Sequence, residues 1–98
     1  MHNKVHIKKE VLDSIINIGT ECGIEKIILF GSRARGDHKE KSDIDIATVG
    51  SMCEKFALEI EEKCPTLLKF DIVDMNKPVS EELKDSIEKE GVIIYEKI

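Results

Sequence analysis

Two stretches of the chain combine residue types that do chemistry together. One is Gly31-Ser32-Arg33-Ala34-Arg35-Gly36. The other is Asp43-Ile44-Asp45, with ten residues between Ser32 and Asp43. Asp43 and Asp45 are two positions apart, so on a strand both carboxylates project from one face. Two carboxylates that close repel, and each raises the other's pKa unless a cation lies between them. Hard oxygen donors on a rigid strand suit Mg²⁺, with phosphate oxygens filling the remaining positions. A D-x-D pair alone also fits a solvent-facing polar edge. Gly31 adds to it a residue that lets the backbone turn sharply and approach a ligand closely. Ser32 and Arg33 then open a helical turn, where free N–H groups attract phosphate and the serine hydroxyl adds a donor. The plainer alternative is a turn glycine followed by an ordinary N-cap.

Arg33 directly follows Ser32 and is assigned to the phosphate of a nucleotide. Arg35 suits a triphosphate equally as well as a surface ion pair with Asp37 or Glu40. Chemistry that deprotonates a hydroxyl beside a metal needs a third acid. Lys69-Phe70-Asp71-Ile72-Val73-Asp74 offers two. Asp71 is mid-strand between Phe70 and Ile72, a costly place for an unpaired acid. Asp74 stands at the strand exit, where a turn explains it. Asp71 is therefore the third carboxylate.

The elements that must position these residues follow from periodicity and punctuation. Residues 7–22 carry Ile7, Val11, Leu12, Ile15, Ile16, Ile18 and Cys22 at mostly helical spacing, and Gly23 suits a left-handed cap. Lys26 to Phe30 is an apolar run without alternation, read as a strand covered on both faces. Residues 32–36 form a short helical turn, and 37–42 a polar surface loop. Residues 43–49 are the second strand, with Ile44 and Ile46 facing the core. Ser51-Met52-Cys53-Glu54 reads as a capping box. It opens a helix with Met52, Phe56 and Ile60 on one stripe, which Pro65 stops. Leu67 to Val73 is the third strand, with Phe70 and Ile72 expected to be buried. Pro78 and Ser80 precede a helix with Glu81 and Glu82 in its first turn, Leu83 and Ile87 inside and Gly91 at its end. Val92 to Tyr95 is a short fourth strand. This order predicts an α/β (α+β) sandwich with a small mixed sheet of about four strands flanked by helices. Strand order and direction are not readable at this level.

Composition narrows the function classes. Ninety-eight residues and 11.1 kDa predict one domain over residues 1–98. A net charge of -5 argues against a general nucleic-acid or anionic-membrane binder. Apolar runs reach four residues, too short for a membrane span or a signal segment. Cys22, Cys53 and Cys64 form no C-x-x-C pair, and an odd number cannot all pair internally. They read as reduced thiols of a cytoplasmic protein. His2 and His6 can share a helix face, but no further ligand joins them at metal spacing, so a solvated amino terminus is the reading there.

Gly31-Ser32, ten residues, then Asp43-x-Asp45 resembles the signature of the nucleotidyltransferase superfamily that includes DNA polymerase β. Gly31 to Gly36 and Ser42-Asp43-Ile44-Asp45 are similar to the core of its small members, the minimal nucleotidyltransferases. Phe70-Asp71-Ile72-Val73 resembles their third acidic strand, and Glu90 to Tyr95 their usual ending. The resemblance implies the nucleotidyltransferase fold. It further implies two Mg²⁺ ions at Asp43, Asp45 and Asp71, and ATP as substrate held by Gly31, Ser32, Arg33 and Arg35. It also implies a helical HEPN-domain toxin as partner, silenced when AMP is moved from ATP onto one of its tyrosines. Larger relatives carry a helical domain that holds the acceptor. The chain ends without one, which favours an acceptor presented by another protein over a small molecule such as an aminoglycoside. A different class of function is a non-catalytic antitoxin, an acidic module that inhibits a basic partner by docking on it. The acceptor, the preferred base and the oligomeric state, homo- or hetero-, stay open.

Overall fold

The computed structural model describes residues 5–97 of the chain, so His2 lies outside the described residues. Helix α1, Lys9–Glu21, comes first. It ends as its sequence requires. Gly23 adopts φ +69°, its N–H donates to the Thr20 carbonyl at 3.2 Å, and the Ile24 N–H reaches the Gly19 carbonyl at 2.9 Å. This double closure satisfies carbonyls that the helix end would otherwise orphan. Then follow β1 (Lys26–Phe30), α2 (Ser32–Arg35), β2 (Ile44–Val49), α3 (Cys53–Lys63), β3 (Phe70–Asp74), α4 (Glu81–Glu90) and β4 (Val92–Glu96). The strands form one mixed sheet in the order β3-β2-β1-β4. β1 pairs antiparallel with both β2 and β4. β2 and β3 are parallel, a pairing made possible by the α3 crossover.

The two faces of the sheet bury different sets. Alternate positions Ile27, Leu29, Ile44, Ile46 and Ile94 pack with Val11, Ile15 and Ile18 of α1 and with Phe56 and Ile60 of α3. The opposite face holds a smaller cluster of Phe30, Ala47 and Ile87, flanked by Ile28, Val73, Met75 and Leu83. Helix α4 therefore covers only part of that second face. Asp45 and Asp71 alternate with Ile44, Ile46, Phe70 and Ile72 and so point to the α4 side.

Three sequence expectations change in the fold. Ile44 and Ile46 are fully buried, but Phe70 and Ile72 are only half-buried, because β3 is an edge strand that α3 overlaps incompletely. The third strand starts at Phe70 and not at Leu67. A turn with Thr66 N–H on the Cys64 carbonyl (2.8 Å) and Leu68 N–H on Thr66 Oγ1 (3.1 Å) holds the preceding residues, and Leu67 is fully exposed. The capping box does not form. Helix α3 starts one residue later than the box needs, with Met52 at the N-cap and no side-chain cap bond. Gly91 caps α4 as expected, in an extended conformation, with its N–H donating to the Ile87 carbonyl at 2.9 Å. A Cβ there would collide with the Ile87 carbonyl and with Ile28. Ser80 caps the start of α4 by accepting from the Leu83 N–H at 3.2 Å.

Phe56 is wholly buried between α1, α3 and the sheet. Phe56→Ala should cost about 3–5 kcal/mol in urea denaturation. Leu58→Ala, on the exposed side of the same helix, should stay within about 0.5 kcal/mol. Equal effects would mean that α3 is not anchored through Phe56.

Candidate active site

Parallel pairing of β2 with β3 sets Asp45 directly opposite Asp71. Neighbouring strands lie about 4.8 Å apart, so the two carboxylates share one face at close range. Asp43 sits just ahead of β2 and is exposed. Its charge and that of Asp71 both bear on Asp45, whose carboxyl is pushed above the ordinary range. Partial burial is the largest cause, then Asp71, then Asp43, with the Arg35 guanidinium opposing them.

The Gly31 turn closes onto this group from β1. Phe30, the last residue of β1, is the register partner of Asp45. Gly31 then takes φ +74°, a conformation that side-chain-bearing residues rarely adopt. A Cβ at Gly31 would also overlap the Asp45 carboxylate. Two independent requirements thus call for glycine where the backbone passes the acid. Ser32 is the first residue of α2, whose opening bonds run from the Ala34 and Arg35 N–H groups to the Gly31 carbonyl, at 3.1 and 3.0 Å. The N–H groups of Ser32 and Arg33 precede those bonds and have no partner within the helix. Gly36 ends the turn in the left-handed region.

The two arginines differ. Arg35 is partly exposed and pairs with Asp37 (Nε to Oδ2, 3.0 Å) and with Glu90 at the end of α4. Asp37 was one of its two expected partners; Glu90, 55 residues on, was beyond reach of sequence reading. The paired guanidinium holds the Asp37 carboxyl below its ordinary range. Arg33 is 6% exposed. Its Nε donates to the Ser42 carbonyl at 3.1 Å, Nη1 to His6 at 3.0 Å, and Nη2 to Lys39 at 3.4 Å and Glu40 at 3.0 Å. The expectation of a side chain turned toward a nucleotide gives way here, because its donors are directed at the chain's own carbonyls.

A groove of about 1320 Å³ opens beside Asp43, walled by Ile7, Val11, His38, Lys41, Leu68 and Lys69. His38 packs tilted against His6 with ring centroids 5.4 Å apart. Among the described residues no three His, Cys, Asp or Glu side chains already close around one point at metal-binding distance. The donor set nevertheless suits a hard cation. It is all carboxylate, it is mutually repelling, and Arg35, the cation that opposes it, is shared with two other acids. The three cysteines are free, and burial pushes the thiols of Cys53 and Cys64 up, away from nucleophile character. No helix among the described residues is long and apolar enough to cross a membrane.

Residues 13–98 match the family described as Polymerase beta, Nucleotidyltransferase. A Methanocaldococcus jannaschii protein provisionally named a protein adenylyltransferase is 37% identical over 81 residues, 74% of this chain and 79% of its own length. The fold is similar to that of a toxin–antitoxin crystallised with AMP-PNP (TM-score 0.71, 22% identity, 88% of this chain and 73% of that one). It is similar also to the toxin–antitoxin MntA–HepT (TM-score 0.65, 19% identity, 92% and 74%) and to a Shewanella oneidensis protein (TM-score 0.67, 16% identity, 93% and 74%).

Asp45 supplies a pH test. Its carboxyl is raised in the fold, so folding favours the neutral form more than the unfolded chain does. The stability linked to it is present in acid, below the ordinary value of 3.8, and is lost as pH rises through the raised value. In metal-free buffer Asp45→Asn should therefore melt above the parent at neutral pH, with the gap closing in acid. A lower melting point at neutral pH would show that the charge is stabilised and not crowded.

Proposed function

The chain belongs to the Polymerase beta nucleotidyltransferase family, and from that membership we propose that it moves AMP from ATP onto a tyrosine hydroxyl of a partner HEPN toxin and acts as its antitoxin. The observation that carries the reading is the stacking of Asp45 on Asp71 beside the Gly31-Ser32 turn. The protein-adenylyltransferase name of the archaeal relative supports the class of acceptor. The toxin–antitoxin neighbours, one of them with AMP-PNP, support the partner and the nucleotide.

Asp43, Asp45 and Asp71 would hold Mg²⁺, two ions in the full site. Bound metal neutralises the triphosphate and polarises the α-phosphate for in-line attack. The remaining work belongs to the chain. The free N–H groups opening α2 and the Ser32 hydroxyl hold the leaving pyrophosphate, approached closely because Gly31 has no side chain. Arg35 adds positive charge on the same side when a phosphate competes with Asp37 and Glu90 for it. Asp71 is exposed on an edge strand, where an acceptor hydroxyl reaches it from outside and passes on its proton. No protein nucleophile is used.

Mixing the protein with ATP, Mg²⁺ and its HEPN partner should add the mass of AMP to the partner. Asp43→Asn with Asp45→Asn should lower the rate at least about a hundredfold, since charge stabilisation in the transition state is lost. Mass spectrometry of the partner checks both. Tight inhibition that persists in the double variant, without modification, would instead make the protein a docking inhibitor.

A further inference from the structure

We propose that Arg33 is a positioning residue for Asp43: its buried guanidinium clamps the 39–42 loop and the segment ahead of α1, and does not contact the triphosphate. The proposal rests on the reading of Asp43 as a carboxylate of nucleotidyl transfer. It goes beyond that reading by assigning what holds Asp43 in place.

Asp43 lies outside the sheet ladder, so its position depends on its two neighbours. On one side the Ile44 N–H donates to the Lys69 carbonyl at 2.9 Å and begins the parallel pairing. On the other the Ser42 carbonyl accepts from Arg33 Nε at 3.1 Å. The same guanidinium gathers the carbonyls of Lys39 and Glu40. Three carbonyls of a four-residue stretch thus converge on one side chain. The loop's own bonds, Ser42 N–H to the Lys39 carbonyl (3.0 Å) and Lys39 N–H to Ser42 Oγ (2.8 Å), close it on itself without tying it to the body. Arg33 supplies the tie. The segment before α1 joins the same anchor. The His6 N–H donates to the Arg33 carbonyl at 3.1 Å, and the His6 carbonyl accepts from Arg33 Nη1 at 3.0 Å. A planar fork of five donors serves four diverging carbonyls, and a lysine ammonium does not. At 6% exposure the guanidinium borders the groove beside Asp43 with little of its surface open, and its donors are spent on these carbonyls.

The test compares Arg33→Lys with the parent, both as the full chain. Without metal or nucleotide, hydrogen exchange at the Lys39 and Ser42 amides should quicken about tenfold, while the β1 peptide stays protected. In AMP transfer to the partner, kcat should fall about tenfold or more with KM for ATP within about threefold, the signature of lost alignment and not of lost ground-state binding. A second variant, Ser42→Ala, loosens the loop from its other end with Arg33 in place. It should move exchange and kcat in the same direction, again sparing KM. Unchanged loop exchange in Arg33→Lys with a tenfold weaker KM would overturn the proposal and put the guanidinium on the triphosphate. If Arg33→Lys unfolds, the β1 peptide loses protection too and Ser42→Ala decides: normal kcat in a loosened loop overturns the proposal. A parent that transfers no AMP would count against the proposed function, and loop exchange would still report whether Arg33 holds the loop.

Discussion

The register of a single parallel strand pair governs the rest of this molecule. Asp45 faces Asp71 because Ile44 pairs with Phe70 and Ile46 with Ile72. Side chains alternate along a strand, so a slip of one residue would turn Asp71 toward α3 and leave Asp45 without its counterpart. The register is fixed from both faces. Ile44 and Ile46 lock into the core under α1 and α3, and Ala47 and Val73 pack toward α4. Thr48, fully buried, secures the far end by donating its hydroxyl to the Val73 carbonyl at 3.3 Å. The Gly31 turn can then pass over Asp45 only as glycine.

This arrangement leaves a half-buried carboxylate beside two others, with little to offset it. Arg35 is near enough to oppose them, but Asp37 and Glu90 hold it from the other side. Structural ion pairs are usually arranged so that charges cancel locally. Here they do not, and that imbalance marks the cluster as a candidate site. The consequence is thermodynamic: a cation that binds the folded chain also stabilises it.

Much of this was legible in the residues. The order of elements followed from apolar periodicity and from glycines and prolines at their ends. The candidate site was read from the spacing of Ser32, Asp43 and Asp45 and from an acid stranded between Phe70 and Ile72, and the sheet register brings Asp45 and Asp71 together. What sequence could not show depended on pairing across the sheet. Phe70 and Ile72 look like core residues along the chain, yet their strand lies at the edge. Arg33 shows the other limit. Its neighbour Ser32 suggested a ligand, but the direction of a guanidinium is decided by carbonyls at positions 6, 39, 40 and 42, brought together only by folding. Glu90 reaches Arg35 for the same reason.

The edge position of β3 has a consequence for solubility. Among the described residues its outer backbone groups have no strand partner, and Phe70, Ile72 and exposed Leu58 line a cleft beside it. Such an edge invites pairing with a second chain, which proteins discourage with short strands and charge. β3 has five residues, two of them aspartates. A carboxylate at Asp71 is the kind of charge that discourages such pairing, beside the metal-binding role proposed for it. Neutralising it would remove that charge as well, so an inactive Asp71 variant speaks to the proposed chemistry only when it is still monodisperse.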